Sequence, residues 1–408
     1  MLYTWASLLQ EWIMATQAET IEQTTIETSE FKTDQVLTIA AGHFVHDTYT
    51  SFVAPLLPVI IEKLSLTLTM AGSLTAMMQL PGLLNPFIGY LADKVSLRYF
   101  VIFAPAITAT LMSSLGLAPS YWGLGFIMIL AGISVATFHA PAPAMIGRVA
   151  GKRIGTGMSF FMFGGELART LGPLIAVWAV SIWGLDGMYR LMFLGWGTSL
   201  LLFWKLREVP GRTQKAGNLA ELTPMLIRFF LPLAVVVFLR LFLEVCLTTY
   251  LPTYMTQQGY ELKQAAFYLA WLEGAGALGA LLGGTISDRL GRRTIMLLAF
   301  STSSLLTFLL LQASGVWLIL ILILTGFATL STGPLFLALV QDHLPNNRAV
   351  GNGLYLSISF VLRSLIMILV GVGGDRFGLE TTFFASAIFS LLALPGVYLL
   401  PKVYKFEN

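Results

Sequence analysis

His43, His46 and Asp47 stand at positions i, i+3 and i+4 of an apolar run, so a helix would set all three on one face. Arg240 and Glu244, at i and i+4, do the same in a second run, and Glu166 with Arg169, at i and i+3, in a third. Glu273 and Arg363 add two more charges inside apolar sequence, and His139 stands just before Pro141 and Pro143. The chemistry these types offer is proton and anion handling. A carboxylate drawn out of water can take up a proton when its cationic neighbour withdraws. Histidine changes charge near neutral pH. Arginine presents a fork of donors that fits a carboxylate, a phosphate or a phosphonate.

The candidates for proton coupling are therefore Asp47 first, with Glu244, Glu166, Glu273, His43 and His46. The candidates for substrate binding are Arg240, Arg363 and Arg169, joined by His139, Gln79 and Tyr250. Each has a structural alternative. Arg240–Glu244 and Glu166–Arg169 could be ion pairs that serve only their own helices, and His139 could supply a donor where prolines free backbone carbonyls. A metal site built from His43, His46 and Asp47 would lack a fourth ligand, so none is expected. No catalytic residues and no cofactor are expected either: H-E-x-x-H, a phosphate-cradling glycine loop and G-x-S-x-G are all missing.

Such charges need elements that hold them away from lipid. Of 408 residues 56% are hydrophobic and 11% charged, against about 25% charged in soluble domains. The apolar residues fall in blocks of roughly 20, the length that crosses about 30 Å of hydrocarbon as a helix. Reading these blocks against Gly, Pro and charge breaks predicts helices over 36–61, 70–92, 99–118, 121–147, 155–183 and 188–206, then 224–256, 264–286, 294–313, 316–342, 351–374 and 380–401. The predicted fold class is an all-α membrane protein of twelve transmembrane helices in two pseudo-symmetric six-helix bundles. Residues 1–35 read as a flexible tail, 36–206 as the first bundle, 207–223 as a linker, 224–402 as the second bundle and 403–408 as a short tail. Of the 24 Lys and Arg residues, 17 fall on the side of the termini and linker and four on the other. The positive-inside rule then makes both termini and the linker cytoplasmic, in a multi-pass membrane protein. A net charge of +3 gives no support to a nucleic-acid partner. The single cysteine, Cys246, reads as a packed apolar residue. The expected partners are lipid, protons and a small solute, with the chain as a monomer.

One loop occurs twice. Gly89, Asp93, Lys94 and Arg98 follow the second helix, and Gly284, Asp288, Arg289, Arg292 and Arg293 follow the eighth, in a G-x-x-x-D-K/R-x-x-x-R pattern 195 residues apart. Gly155 and Gly157 are matched by Gly351 and Gly353 at an offset of 196. The unit of repetition is thus six helices. The aspartate and basic residues of each loop are suited to bridge helix ends in one state and part in another.

The duplicated loop, the six-plus-six layout and the linker resemble the major facilitator superfamily over about residues 36–402. Within it, His43-Phe44-Val45-His46-Asp47, Phe138-His139-Ala140-Pro141, Gly164-Gly165 and Leu171-Gly172-Pro173 are similar to the fosmidomycin-resistance branch of bacterial efflux proteins. Ala140, Glu166 and Arg169 depart from that branch's pattern. The resemblance implies two bundles rocking about a midplane site, with the first-half loop as a conformational latch. The function expected is proton-coupled antiport, exporting a small amphipathic or anionic compound. The alternative is a symporter or uniporter that imports a nutrient. A receptor or membrane-embedded enzyme is the remote third reading.

Overall fold

Apolar runs of membrane length can satisfy their own backbone groups only as helices. The computed structural model describes residues 30–85, 87–88, 91, 97–151, 153–209, 223–344 and 348–400, and among them it shows helices and short connections with no strand. The first half contains α1 (Thr33–Leu64), α2 (Leu68–Gln79, continued by a 3-10 turn over Leu80–Leu84), α3 (Arg98–Ser113), α4 (Tyr121–Val149), α5 (Ile154–Gly187) and α6 (Met192–Leu206). The second contains α7 (Arg228–Gln257), α8 (Leu262–Leu290), α9 (Arg292–Leu310), α10 (Gly315–His343), α11 (Arg348–Phe377) and α12 (Leu379–Leu399). Among the described residues nine runs are long and apolar enough to cross a membrane. One of these, Gly155–Leu206, holds both α5 and α6; it kinks at Gly184 near the end of α5, where φ is +69° and a side chain would strain the backbone. The shorter α3 and the described part of α2 stand beside these, consistent with the twelve passes expected from the sequence.

Pro55 and Pro141 in the first half, and Pro252 and Pro334 in the second, follow interruptions in equivalent helices. α1 breaks at Ser51–Phe52, four residues before Pro55, and α7 widens into a π-helical turn over Cys246–Tyr250, ahead of Pro252. A proline gives no N–H to the carbonyl four residues back, so Ser51 and Thr248 each lose that donor. They lie 197 residues apart. α4 breaks at Ala140–Pro141 and α10 at Ser331, ahead of Pro334. α1 starts at Thr33, inside the stretch read as tail, because the Lys32 N–H donates to the Val149 carbonyl (2.9 Å) and ties the start of α1 to the end of α4.

Within the first half α5 packs on α1 and α3 on α6; in the second α8 packs on α10 and α11 on α7. The small-residue stripe of α5 makes the first of these contacts: a side chain at Gly164 would strike the Ala40 carbonyl, and one at Gly172 the Ser51 hydroxyl. The halves meet where α2 lies on α11 and α5 on α8. α2 approaches α11 so closely that a Cβ on Gly72 would collide with the Met367 carbonyl and the Tyr250 hydroxyl.

Candidate functional site

At the end of the molecule away from the linker the halves are joined by polar contacts. Thr67, the N-cap of α2, accepts from Met70 N–H (3.1 Å). The next two donors of that helix end, Leu68 and Thr69 N–H, go to the Asp375 carboxylate of α11 at 2.7 and 2.8 Å, and the Thr69 hydroxyl adds a third bond of 2.6 Å. Asp375 thus caps a helix of the other half. Deeper in, the buried Tyr250 hydroxyl donates to the Met367 carbonyl (2.8 Å), with the Leu68 carbonyl at 3.2 Å. Tyr250, a substrate-binding candidate by sequence, is placed inside this closed seam, its hydroxyl already used.

Below the seam is a cavity of about 180 Å³. The broken segments of α1 and α7 contribute Thr50, Ser51, Thr248 and Thr249 to its wall, and the remaining polar lining comes from Thr75, Gln79, Arg169, Glu273 and Arg363. Arg169 on α5 forms an ion pair with Glu166 one turn earlier. Its Nε also lies 3.7 Å from Glu273 on α8, an ion pair that crosses between the halves. Arg363 on α11 donates to Glu244 on α7 (2.5 Å) and to the Thr248 hydroxyl (2.9 Å).

Glu244 is held from its other side by Arg240. Arg240, first among the substrate-binding candidates by sequence, does not line the cavity. It is buried behind Glu244, donates to the Thr329 carbonyl of α10 (3.0 Å) and lies over the Phe336 ring (5.6 Å). The cavity-facing arginines are Arg363 and Arg169. The pair Arg240–Glu244 expected within α7 is present, but a third member from α11 makes it a triad.

The helix 1 residues divide. His43 Nε2 lies 3.1 Å from Asp47, as the i, i+4 spacing predicts. His139 comes from α4 to the same carboxylate, 3.3 Å from Asp47 and 3.3 Å from His43 Nε2. His46 is instead fully buried and stacks on Phe138 at 4.4 Å between ring centres. Asp47, His43 and His139 stand behind the cavity wall rather than in it.

Of the duplicated loops, Gly89, Asp93 and Lys94 lie outside the described residues. Arg98 donates to the Val209 carbonyl (3.1 Å) at the end of α6. In the second copy, Arg292 meets Asp288 (3.0 Å), Asp342 of α10 (2.7 Å) and the Ser287 hydroxyl (2.9 Å), and Arg293 donates to the Tyr398 carbonyl (3.1 Å) and to that of Leu400. Arg289 is exposed and Gly284 lies on the last turns of α8. These contacts stay within one half. Asp375, Asp342 and Thr69 carry contacts that helix-by-helix reading missed; the one signal in sequence is an acid close to a helix end.

The Major Facilitator Superfamily model matches residues 39–367 and again 274–406. The chain is 24% identical to the fosmidomycin resistance protein of Escherichia coli (strain K12) over 380 residues, covering 90% of this chain and 93% of that one. It is 25% identical to the gentisate transporter of Corynebacterium glutamicum over 346 residues, covering 79% and 77%. Its structure is similar to that of a bacterial homologue of the human lysosomal transporter Spinster in an inward-facing and occupied conformation, with a TM-score of 0.77 at 16% identity over 92% of this chain and 97% of that one. The last likeness concerns the fold alone. Family and relatives are transporters, which removes the enzyme reading. With a family model that matches most of its length and two halves joined over a charged cavity, the chain belongs to the major facilitator superfamily.

Proposed function

We propose that this transporter carries a small organic anion together with a proton, by alternating access. The observation that carries the reading is the Arg169–Glu273 pair, 3.7 Å long and spanning the two halves in the cavity wall. Around the cavity Arg169, Arg240 and Arg363 are balanced by Glu166, Glu244 and Glu273. Protonating Glu244 would forfeit two arginines, whereas protonating Glu273 forfeits one long pair whose arginine is already held by Glu166. A neutral Glu273 leaves one positive charge in excess, shared by Arg169 and Arg363 on the cavity wall. An anion restores the balance. Proton and anion then bind together and leave together. The cavity is smaller than the 300–1,000 Å³ of typical drug-sized sites, which suits a solute of aromatic-acid size. The similarity to a gentisate transporter agrees with a carboxylate as that solute.

The positive-inside distribution supports a cytoplasmic linker face, so that the end held together by Asp375 and Tyr250 faces away from the cytoplasm. A second reading, export in exchange for protons, has the similarity to the fosmidomycin resistance protein in its favour. Proteoliposomes separate the two. With labelled gentisate and labelled fosmidomycin as probes, an acid-outside gradient drives accumulation if proton and anion move together and depletion if they exchange. Transport of both probes indifferent to the gradient would refute proton coupling of either kind.

A further inference from the structure

The carrier reading makes no use of the cluster behind the cavity wall, and its hydrogen-bond pattern has a direct chemical consequence. His43 Nδ1 lies 2.7 Å from the Phe161 carbonyl, and His139 Nδ1 lies 3.1 Å from the Val135 carbonyl. A carbonyl oxygen has no proton to give, so each Nδ1 must carry one and donate it. In the neutral imidazole Nε2 is then a bare lone pair. The two bare nitrogens lie 3.3 Å from each other, and each faces its own oxygen of the Asp47 carboxylate, His43 the Oδ2 at 3.1 Å and His139 the Oδ1 at 3.3 Å, so that one ligand atom from each residue can be chosen with all three within 4.8 Å of one another. Two ring nitrogens and both oxygens of one carboxylate thus face one another with no donor among them. Only a cation makes that arrangement favourable.

The distances and the second contacts say which kind. A proton lies on the line between two atoms and draws a charged pair to about 2.7–2.9 Å; none of these three contacts is that short. Ligands held about 2.0–2.1 Å from a common tetrahedral centre are about 3.3 Å apart. Histidines that bind metal characteristically donate their other ring N–H to a carbonyl, which fixes tautomer and ring orientation, as both do here. We propose that His43, Asp47 and His139 bind one divalent transition-metal ion of the zinc class inside the first bundle, bracing α1 against α4. Two imidazoles and a carboxylate form a donor set that zinc accepts. The side chain of His139 is 34% exposed, against 5% for His43, so its side of the cluster is where an ion enters and where a water completes the coordination. Arg169, whose charge reaches this cluster, is itself paired with Glu166 and Glu273 and does not bar a second cation.

The test uses the full chain, purified with a tag that contains no histidine, stripped with a chelator and titrated with Co²⁺. The expected result is about one equivalent bound with the visible absorption of a four-coordinate site, displaced by Zn²⁺. Asp47→Asn, which keeps the shape of the site, and His139→Ala should each weaken Co²⁺ at least about tenfold, while His343→Ala, at the C-terminal end of α10 in the other half, should leave it unchanged. Absence of cobalt bands in monodisperse wild-type protein overturns the proposal, as does undiminished binding in both cluster variants. If neither variant folds, X-ray absorption of Zn²⁺ bound to the wild type decides, since two imidazole ligands are required and fewer refute the assignment.

Discussion

Glu244 and Glu273 are the same residue type at similar depth, and what separates their roles is how many cations hold them. Glu244 has Arg240 on one side and Arg363 on the other, while Glu273 shares Arg169 with Glu166. Glu273→Gln should therefore abolish gradient-driven accumulation while leaving solute exchange at equal pH, because the amide imitates the protonated acid. Flux assays in proteoliposomes with and without a pH gradient read both quantities, and a Glu273→Gln protein that still accumulates solute would move the proton site elsewhere. The two arginines of the triad should part in the same way. Arg363→Ala, on the cavity wall, should weaken anion binding by about 2–5 kcal/mol, seen as a raised KM. Arg240→Ala leaves Glu244 with half its countercharge in a buried setting and should cost about 3–5 kcal/mol of stability, seen as a lower Tm in detergent.

At the scale of elements, the far-end closure is a helix cap supplied by the opposite half. Side-chain caps are worth about 0.5–2 kcal/mol, and the Asp375 carboxylate that makes this one is exposed. Asp375→Ala should thus lower the ratio of far-end-closed to far-end-open molecules by about fivefold, in line with about 1 kcal/mol, without unfolding the protein. Spin labels on the far ends of α2 and α11 would report longer distances; the buried Cys246, the chain's single cysteine, leaves such labelling uncomplicated. Gly72→Ala acts on the same seam from within, since its methyl would strike the Met367 carbonyl and the Tyr250 hydroxyl. It should shift the labels in the same direction, and unchanged distances in both variants would show that the seam is not what holds the far end shut.

For the molecule as a whole, the second loop copy ties α8, α9, α10 and α12 into one body instead of bridging the halves. Arg292→Gln should consequently lower the Tm slightly, by less than about 1 kcal/mol of stability, and leave the distance between the halves unchanged. The same labels decide this: a shift in the far-end distance on Arg292→Gln would mean that the loop reaches across.

The sequence by itself determined the all-helical class, the apolar runs of membrane length and the burial of charge. All three rest on local quantities: hydrocarbon thickness fixes how long an apolar run must be, and a charge within it must face protein wherever its helix packs. The i, i+4 contacts of His43 with Asp47 and of Arg240 with Glu244 were legible for the same reason, since one helix contains both partners. Only the tertiary structure decided the rest. It joined His139 to Asp47, gave Glu244 a second arginine from α11, sent His46 against Phe138 and set Asp375 over the start of α2. Those partners stand up to 307 residues apart. Their meeting depends on how each helix is rotated and how closely small residues let neighbours approach, and periodicity along one helix carries no record of either.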